Sequence, residues 1–543
     1  MESKEHIPLE QNDKLWSLIE QRLEASPDAT AVIEGERAIT VSQFHAQCGH
    51  ALAWLQAQGV RRGDRVAVWL VNRTEWLVLL FALARLGAVL VSVNTRYRSE
   101  EVSHILGKSG ARLLVCQPGF RKINFAEILR GIAPDALPAL EGIVVVDAGD
   151  DTSDTLLGRP IARFPRHDGA ASAETAFAAD SSDSGEAVIL FTTSGTTKGP
   201  KLVMHPQRTL VDHARRCACA YGLDQPGAVM LAMLPFCGVF GLNGVLAAFA
   251  AGAPAVLMDA FDGEAAAALA QRHRATHTFG SDEMYQRMAE AAKGERPFPA
   301  ARFFGFGAFT SSFGEYARHA WSRGIPLVGL YGSSEVLALF AGQPLELPLD
   351  ARLEGGGRPV AAALAKVRVR DTESGELLPP GLSGELEIRA PSNFLGYFND
   401  PQATAAAVLP DGFFRTGDLG HLREDGTFVY ETRMGDAIRL GGFLVNPVEI
   451  EAVLKRFDSV ADAQVVAVEI EGRTRVVAFV VPSPGSMPVG ADLIAQVGAQ
   501  TASFKVPARI WFVDEYPVTQ SSNGVKTQRN KLRDMAIERL ARG

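Results

Sequence analysis

The segment Phe191-Thr-Thr-Ser-Gly-Thr-Thr-Lys-Gly-Pro-Lys201 packs four threonines, one serine, two glycines and two lysines behind the apolar run 187–191. Small residues let backbone N–H groups close on an anion, hydroxyls add donors, and a lysine adds a point charge. That is chemistry for gripping phosphate oxygens. It is not a Walker loop, because G-x-x-x-x-G-K-[ST] fits no register here. Read alone, the segment also suits a hydroxyl-rich polar turn. The five cysteines, Cys48, Cys116, Cys217, Cys219 and Cys237, are odd in number and sparsely spaced. They form neither a disulfide framework nor a paired zinc motif, which favours a reducing, cytoplasmic setting.

Such a loop needs a scaffold, and the surrounding sequence spells one. Apolar runs at 65–71, 88–94 and 112–117 read as strands, with helices over 74–86 and 99–110 between them, the second opened by Ser99 as N-cap. Near-continuous Val/Ile/Leu strands alternating with helices indicate parallel sheets covered on both faces. The alternation recurs at 229–234, 254–259 and 326–331, and Asp262 is expected to cap the alanine-rich helix after it. Residues 228–258 carry no charge over 31 positions. Pro235, Gly238, Gly241, Asn243, Gly244, Gly252 and Pro254 divide that stretch, so strand, loop, buried helix and strand fit better than a membrane span. Residues 166–186 are small, polar and low in complexity, a surface loop. From 354 the pattern turns to short strands with Gly/Pro/Asp turns. After 432–436 come helices and long strands, a small α+β domain. The expected fold is α/β. A large N-terminal domain, 1–432, has parallel-rich sheets and a small β-barrel-like part; a small α+β domain spans 433–543.

The chain has 543 residues, 47% hydrophobic and 21% charged, with a formal net charge of −8. Those proportions are globular and argue against disorder, collagen or coiled coil. The acidic balance argues against a nucleic-acid partner. The charged N-terminus lacks a signal-peptide core.

TTSGTTKGPK (192–201) closely resembles the phosphate-binding signature of the acyl-adenylate-forming superfamily of acyl-CoA synthetases, peptide-synthetase adenylation domains and firefly luciferase. Tyr331-Gly-Ser-Ser-Glu335, the block 384–404, Phe414-Arg-Thr-Gly-Asp418 and Arg433…Gly441-Gly-Phe…Asn446-Pro-Val-Glu-Ile-Glu451 resemble its further motifs, in the same order. The chain is most similar to a bacterial acyl-CoA synthetase. The resemblance implies that a carboxylate is joined to the α-phosphate of ATP and the acyl group then passes to coenzyme A. It also implies that Thr193, Ser194, Gly195, Thr196, Thr197 and Lys201 hold the β- and γ-phosphates, and that Glu335 binds Mg²⁺ with Thr196. Tyr331 would stack on adenine, with Gly307 and Ala308 on the other face and Gly332 and Ser333 beside it. Asp418 would take the ribose hydroxyls, and Arg433 ribose or phosphate. Gly441 and Gly442 would line the thiol tunnel.

Three departures stand out. The family's Pro-x-Thr-x-x-Gly-Lys becomes Pro517-Val-Thr519 followed by Gln-Ser-Ser-Asn-Gly-Val-Lys526, so Lys526 is the expected catalytic lysine and Lys531 its rival. At the hinge, Gly435 stands where the family usually has Asp or Lys. In the acyl pocket, Phe236, Cys237 and Gly238 stand where an aromatic-His pair often precedes glycine, which would reshape the pocket. His205, after the phosphate loop, is either a pocket residue or a satisfied structural histidine. Two rival readings keep the motifs: loading of a carrier-protein phosphopantetheine, and an ATP/acyl-ligand binding protein that has lost turnover. The acid's identity and the oligomeric state are open.

Overall fold

The computed structural model describes residues 13–148, 154–165, 180, 182–193, 200–307, 313–434, 438–440, 443–445, 447–470, 473–501, 505–521 and 524–542. Ser194, Gly195, Thr196, Thr197, Ala308, Gly435, Gly441 and Gly442 lie outside these.

Among the described residues, two large sheets carry the first part of the chain. A nine-stranded sheet has at its centre the parallel strands Ala187–Thr192, Val89–Ser92, Arg65–Trp69, Leu113–Cys116 and Gly142–Val145. These are the Val/Leu runs of the sequence, and they are buried because helices cover the sheet. A thirteen-stranded sheet runs parallel from Thr30–Glu34 through Ala255–Leu257, Met230–Ala232, His277–Ser281 and Phe303–Gly307 to Leu327–Ser333. It then continues antiparallel through Leu337–Gly342, Gly355–Pro359, Phe428–Arg433, Phe414–Leu422, Gly384–Arg389 and Lys366–Arg370. This antiparallel run is the all-β part expected from the turn-rich sequence.

Between the sheets sit the most apolar helices. Thr74–Leu86 spans the residues expected, with Gly87 closing it at φ +69°. The uncharged stretch resolves into Met230–Ala232, the helix Val239–Ala251 and Ala255–Leu257. That helix is buried almost all round, which explains its lack of charge. No described helix is long and apolar enough to cross a membrane. Asp262 caps Gly263–Arg272 by accepting from the Ala265 N–H. Ser99 is not an N-cap. The helix Ser99–Ser109 is entered from Arg98, whose N–H bonds Glu101, while the Ser99 hydroxyl donates to the Ile128 carbonyl at 2.6 Å.

From Ile438 onward the chain builds two further hydrophobic clusters of its own. Strands Val460–Ile470 and Arg473–Pro482 pair antiparallel, and Arg509–Phe512 joins the second in parallel. The final helix, Arg529–Arg542, is anchored where Arg529 donates to buried Glu451 at 2.6 Å.

Candidate active site

The strands Ala187–Thr192 and Leu202–Pro206 form a hairpin whose base is locked just below the phosphate-loop segment. The Thr193 N–H donates to the Lys201 carbonyl at 3.0 Å, and the Lys201 N–H donates to Thr193 Oγ1 at 3.2 Å. The short hydroxyl side chain of Thr193 thus bonds the backbone across the hairpin base. Lys201 Nζ stands 4.4 Å from the centroid of the Tyr397 ring, a cation–π contact. The Tyr397 hydroxyl donates to Glu335 Oε1 at 2.9 Å. Burial, and then the Glu335 charge, hold the Tyr397 phenol above its usual pKa, so it stays a donor.

Glu335 sits in the turn between Leu327–Ser333 and Leu337–Gly342, where Ser333 pairs with Leu337. Its N–H donates to Ser333 Oγ at 3.2 Å. Only glycine fits at position 332, because a Cβ there would lie 2.6 Å from the Ala338 Cα. Glu335 is half-buried. Among the described residues its carboxylate accepts from Tyr397, which leaves lone pairs to spare.

Two residues before that turn, Tyr331 donates to Asp418 Oδ2 at 2.6 Å, and Arg433 Nη1 donates to Oδ1 at 2.5 Å. Asp418 is 4% exposed, and Arg433, its antiparallel partner across the sheet, is the last residue of its strand. The Tyr331 ring packs against Phe428, Tyr430 and Phe340 and is itself only 7% exposed. Gly307 ends the neighbouring strand Phe303–Gly307. The structure therefore unites Lys201, Tyr397, Glu335, Tyr331, Asp418 and Arg433, drawn from separate parts of the chain. Tyr397 lies inside a recognised block, but its role needed the fold to bring it 62 positions back to Glu335.

The expected acyl segment is rigidly held. Asn72 Nδ2 donates to the Leu234 carbonyl at 2.8 Å, and its Oδ1 accepts from the Phe236 N–H at 2.7 Å. The Ser92 hydroxyl donates to the Cys237 carbonyl at 2.7 Å. Phe236, Cys237 and Gly238 are buried, and burial pushes the Cys237 thiol up to about 11, so it is no nucleophile. Gly241 is required because a Cβ would fall 2.3 Å from the Pro235 carbonyl oxygen. His205 is fully buried, bonds the Ser334 carbonyl through Nε2 at 2.7 Å, and is driven down to about 4 by burial. A side chain so enclosed ties the Glu335 turn to the phosphate hairpin.

Lys526 lies on a hairpin in which Val518–Ser521 pairs with Gly524–Thr527, and Thr519 is its direct partner. Val525, the extra residue between Gly524 and Lys526, pairs with Gln520 in the same hairpin. Lys531 stands on the final helix, exposed. No group of three or more His, Cys, Asp or Glu side chains suited to a metal occurs among the described residues. A single carboxylate such as Glu335 still suits a hard cation that shares its ligands with phosphate oxygens.

The hairpin at 187–206, the Glu335 turn and the buried Asp418 carboxylate lie on the motifs that resemble the adenylate-forming enzymes. The sequence matches the family described as AMP-binding enzyme over residues 19–398, and the AMP-binding enzyme C-terminal domain over 449–523. The chain belongs to the AMP-binding enzyme family and is an ATP-dependent ligase of the acyl-CoA synthetase class. It is 33% identical to a 3-[(3aS,4S,7aS)-7a-methyl-1,5-dioxo-octahydro-1H-inden-4-yl]propanoyl:CoA ligase of Mycobacterium tuberculosis, covering 93% of this chain and 96% of the relative. It is 31% identical to the fatty acid–[acyl-carrier-protein] ligase ScoC of Streptomyces coeruleorubidus, covering 94% and 93%. The structure of ATP-bound MatB from Rhodopseudomonas palustris superposes with a TM-score of 0.81 at 25% identity, covering 96% of this chain and 99% of that one.

Proposed function

We propose that this chain activates a carboxylic acid with an apolar body and passes its acyl group to coenzyme A. A carboxylate oxygen attacks the α-phosphorus of ATP, the bond to the bridging oxygen breaks, and pyrophosphate leaves. A thiol then attacks the acyl carbon, loses its proton and expels AMP. The observation that carries this reading is the linked cluster Lys201–Tyr397–Glu335 and Tyr331–Asp418–Arg433.

Thr193, Ser194, Gly195, Thr196, Thr197 and Lys201 hold the β- and γ-phosphates in this reading. Glu335, with Thr196, would hold Mg²⁺, which would supply neutralisation of phosphate charge. Asp418 accepts from the ribose hydroxyls with lone pairs left over from Tyr331 and Arg433. Gly307, Ala308, Tyr331, Gly332 and Ser333 border the adenine. Lys526 approaches the α-phosphate and the carboxylate, two anions that need a cation between them. The domain boundary falls between Thr432 and Arg433, with rotation about Gly435 bringing Gly441 and Gly442 to the thiol. The apolar acid is supported by Phe236 and Cys237 and by the neighbouring rings Phe240, Phe279 and Phe303. Free thiols at all five cysteines fit work in a reducing cytoplasm.

A carrier-protein phosphopantetheine is the second acceptor reading, favoured by the likeness to ScoC. Purified protein with ATP, Mg²⁺ and a panel of acids separates the two. Acyl-CoA formed at the rate of AMP release supports coenzyme A. An intact-mass shift on a carrier, with no acyl-CoA from any acid, rejects it.

A further inference from the structure

The strand Leu337–Gly342, which leaves the turn carrying Glu335, is held against the preference of its own backbone. Leu337 and Leu339 both have φ of +65°, in the left-handed region that leucine avoids, and both are fully buried. Such a conformation persists only where its surroundings over-determine it. Here they do, through buried side-chain donors aimed at the carbonyls of Ser334, Ala338 and Leu339. His205 Nε2 meets the Ser334 oxygen at 2.7 Å. His213 Nε2 and Asn243 Nδ2 converge on the Ala338 oxygen at 2.7 and 2.9 Å. The Tyr221 hydroxyl donates to the Leu339 oxygen at 2.9 Å, with Cys217 Sγ at 3.6 Å from the same atom. Polar groups buried this deeply require a reason, because each must be desolvated.

We propose that His213 and Asn243 are positioning residues for Glu335: by sharing the Ala338 carbonyl they hold the left-handed start of the strand Leu337–Gly342, and with it the turn that presents this carboxylate to Tyr397. Asn243 lies on the helix that starts immediately after Phe236-Cys237-Gly238, so the acid-binding segment and the Glu335 turn hang on one rigid element. His213 comes from the helix Gln207–Ala220, which continues from the hairpin below the phosphate loop. Burial drives His213 down to about 4, so its ring is neutral, and the single N–H must sit on Nε2 to meet a carbonyl. The inference rests on the reading that Glu335 holds the metal-bound triphosphate.

Three variants test it. His213→Leu and Asn243→Leu remove the donors at similar volume, while His213→Gln keeps an N–H in the place of Nε2. Hydrogen–deuterium exchange of residues 331–342 in ligand-free protein should quicken about tenfold in the two leucine variants, the loss of one net hydrogen bond, and stay near wild type in His213→Gln. The gain in ATP affinity on adding Mg²⁺, read by calorimetry, should shrink about three- to tenfold in the leucine variants and return in His213→Gln. Unchanged exchange overturns the clamp. Faster exchange with an intact Mg²⁺ effect overturns its link to Glu335. Wild-type protein that exchanges slowly over 331–342 but binds no ATP sinks the ligase reading instead, and with it the role given to these residues.

Discussion

Replacing Asp418 by asparagine probes the nucleoside end of the site with almost no change of volume. Asp418 is 4% exposed and accepts from Tyr331 at 2.6 Å and from Arg433 at 2.5 Å. Hydrogen bonds to a charged partner contribute about 1.5–3 kcal/mol each, against about 1 for neutral pairs. Asparagine keeps one acceptor oxygen for Arg433 and turns an N–H toward Tyr331, whose hydroxyl must then accept. Folded stability should therefore fall by about 2 kcal/mol, read from urea unfolding. Two ribose hydroxyls meeting a neutral amide rather than a carboxylate lose a further 1–3 kcal/mol or so, weakening ATP about ten- to hundredfold. Calorimetric titration of both proteins with ATP measures this directly. Tyr331→Phe serves as the control, since it removes one internal bond and leaves the carboxylate charged. An asparagine variant that unfolds more easily but binds ATP within about twofold of wild type would refute the assignment, leaving Asp418 as a pin between two strands.

Three other outcomes follow from the geometry. Tyr397→Phe keeps the ring under Lys201 but loses the bond to Glu335, so half-saturation of pyrophosphate–ATP exchange by Mg²⁺ should rise about three- to tenfold; an unchanged Mg²⁺ profile counts against it. Lys526→Ala should slow acyl-adenylate formation by about 10²–10³, with thioester formation from supplied acyl-adenylate little changed; loss in Lys531→Ala instead would move the role to that residue. His205, His213 and His277 are each lowered to about 4 by burial, whereas an unfolded histidine titrates near 6.5. The unfolded chain takes up protons first, so stability is complete above pH 6.5 and drains away as pH falls toward 4. At pH 5 each histidine accounts for roughly 2 kcal/mol of that loss, and a urea midpoint that is flat between pH 7 and 5 would contradict it.

What could be read from the sequence was local. Helix Thr74–Leu86 is legible because its apolar face, its length and Gly87 agree. The charge-free run 228–258 is legible because glycines and prolines cut it into pieces too short to cross a bilayer. Ser99 misled because a serine before an apolar pattern looks like a cap. In the fold its hydroxyl is drawn to Ile128, and Glu101 satisfies the helix entrance. The motifs located Glu335, Asp418 and Arg433, but not what holds them. Tyr397 reaches back 62 positions, Asn72 reaches forward 162, and His213 and Asn243 reach 125 and 95 to one carbonyl. No periodicity or spacing encodes such contacts, since they exist only once the sheets are packed. The irregular lysine motif was opaque for the opposite reason. Its spacing departs from the family's, yet the strands Val518–Ser521 and Gly524–Thr527 still pair Thr519 with Lys526.

Acid-dependent exchange of labelled pyrophosphate into ATP tests the central chemistry most directly, because it reports the mixed anhydride whatever thiol follows. With a broad set of apolar carboxylic acids, at least one should drive exchange well above the acid-free rate. Coenzyme A should then convert that acid to a thioester with one AMP released per turnover. A protein that exchanges nothing with any acid, at saturating ATP and Mg²⁺, would contradict the reading from the phosphate loop onward.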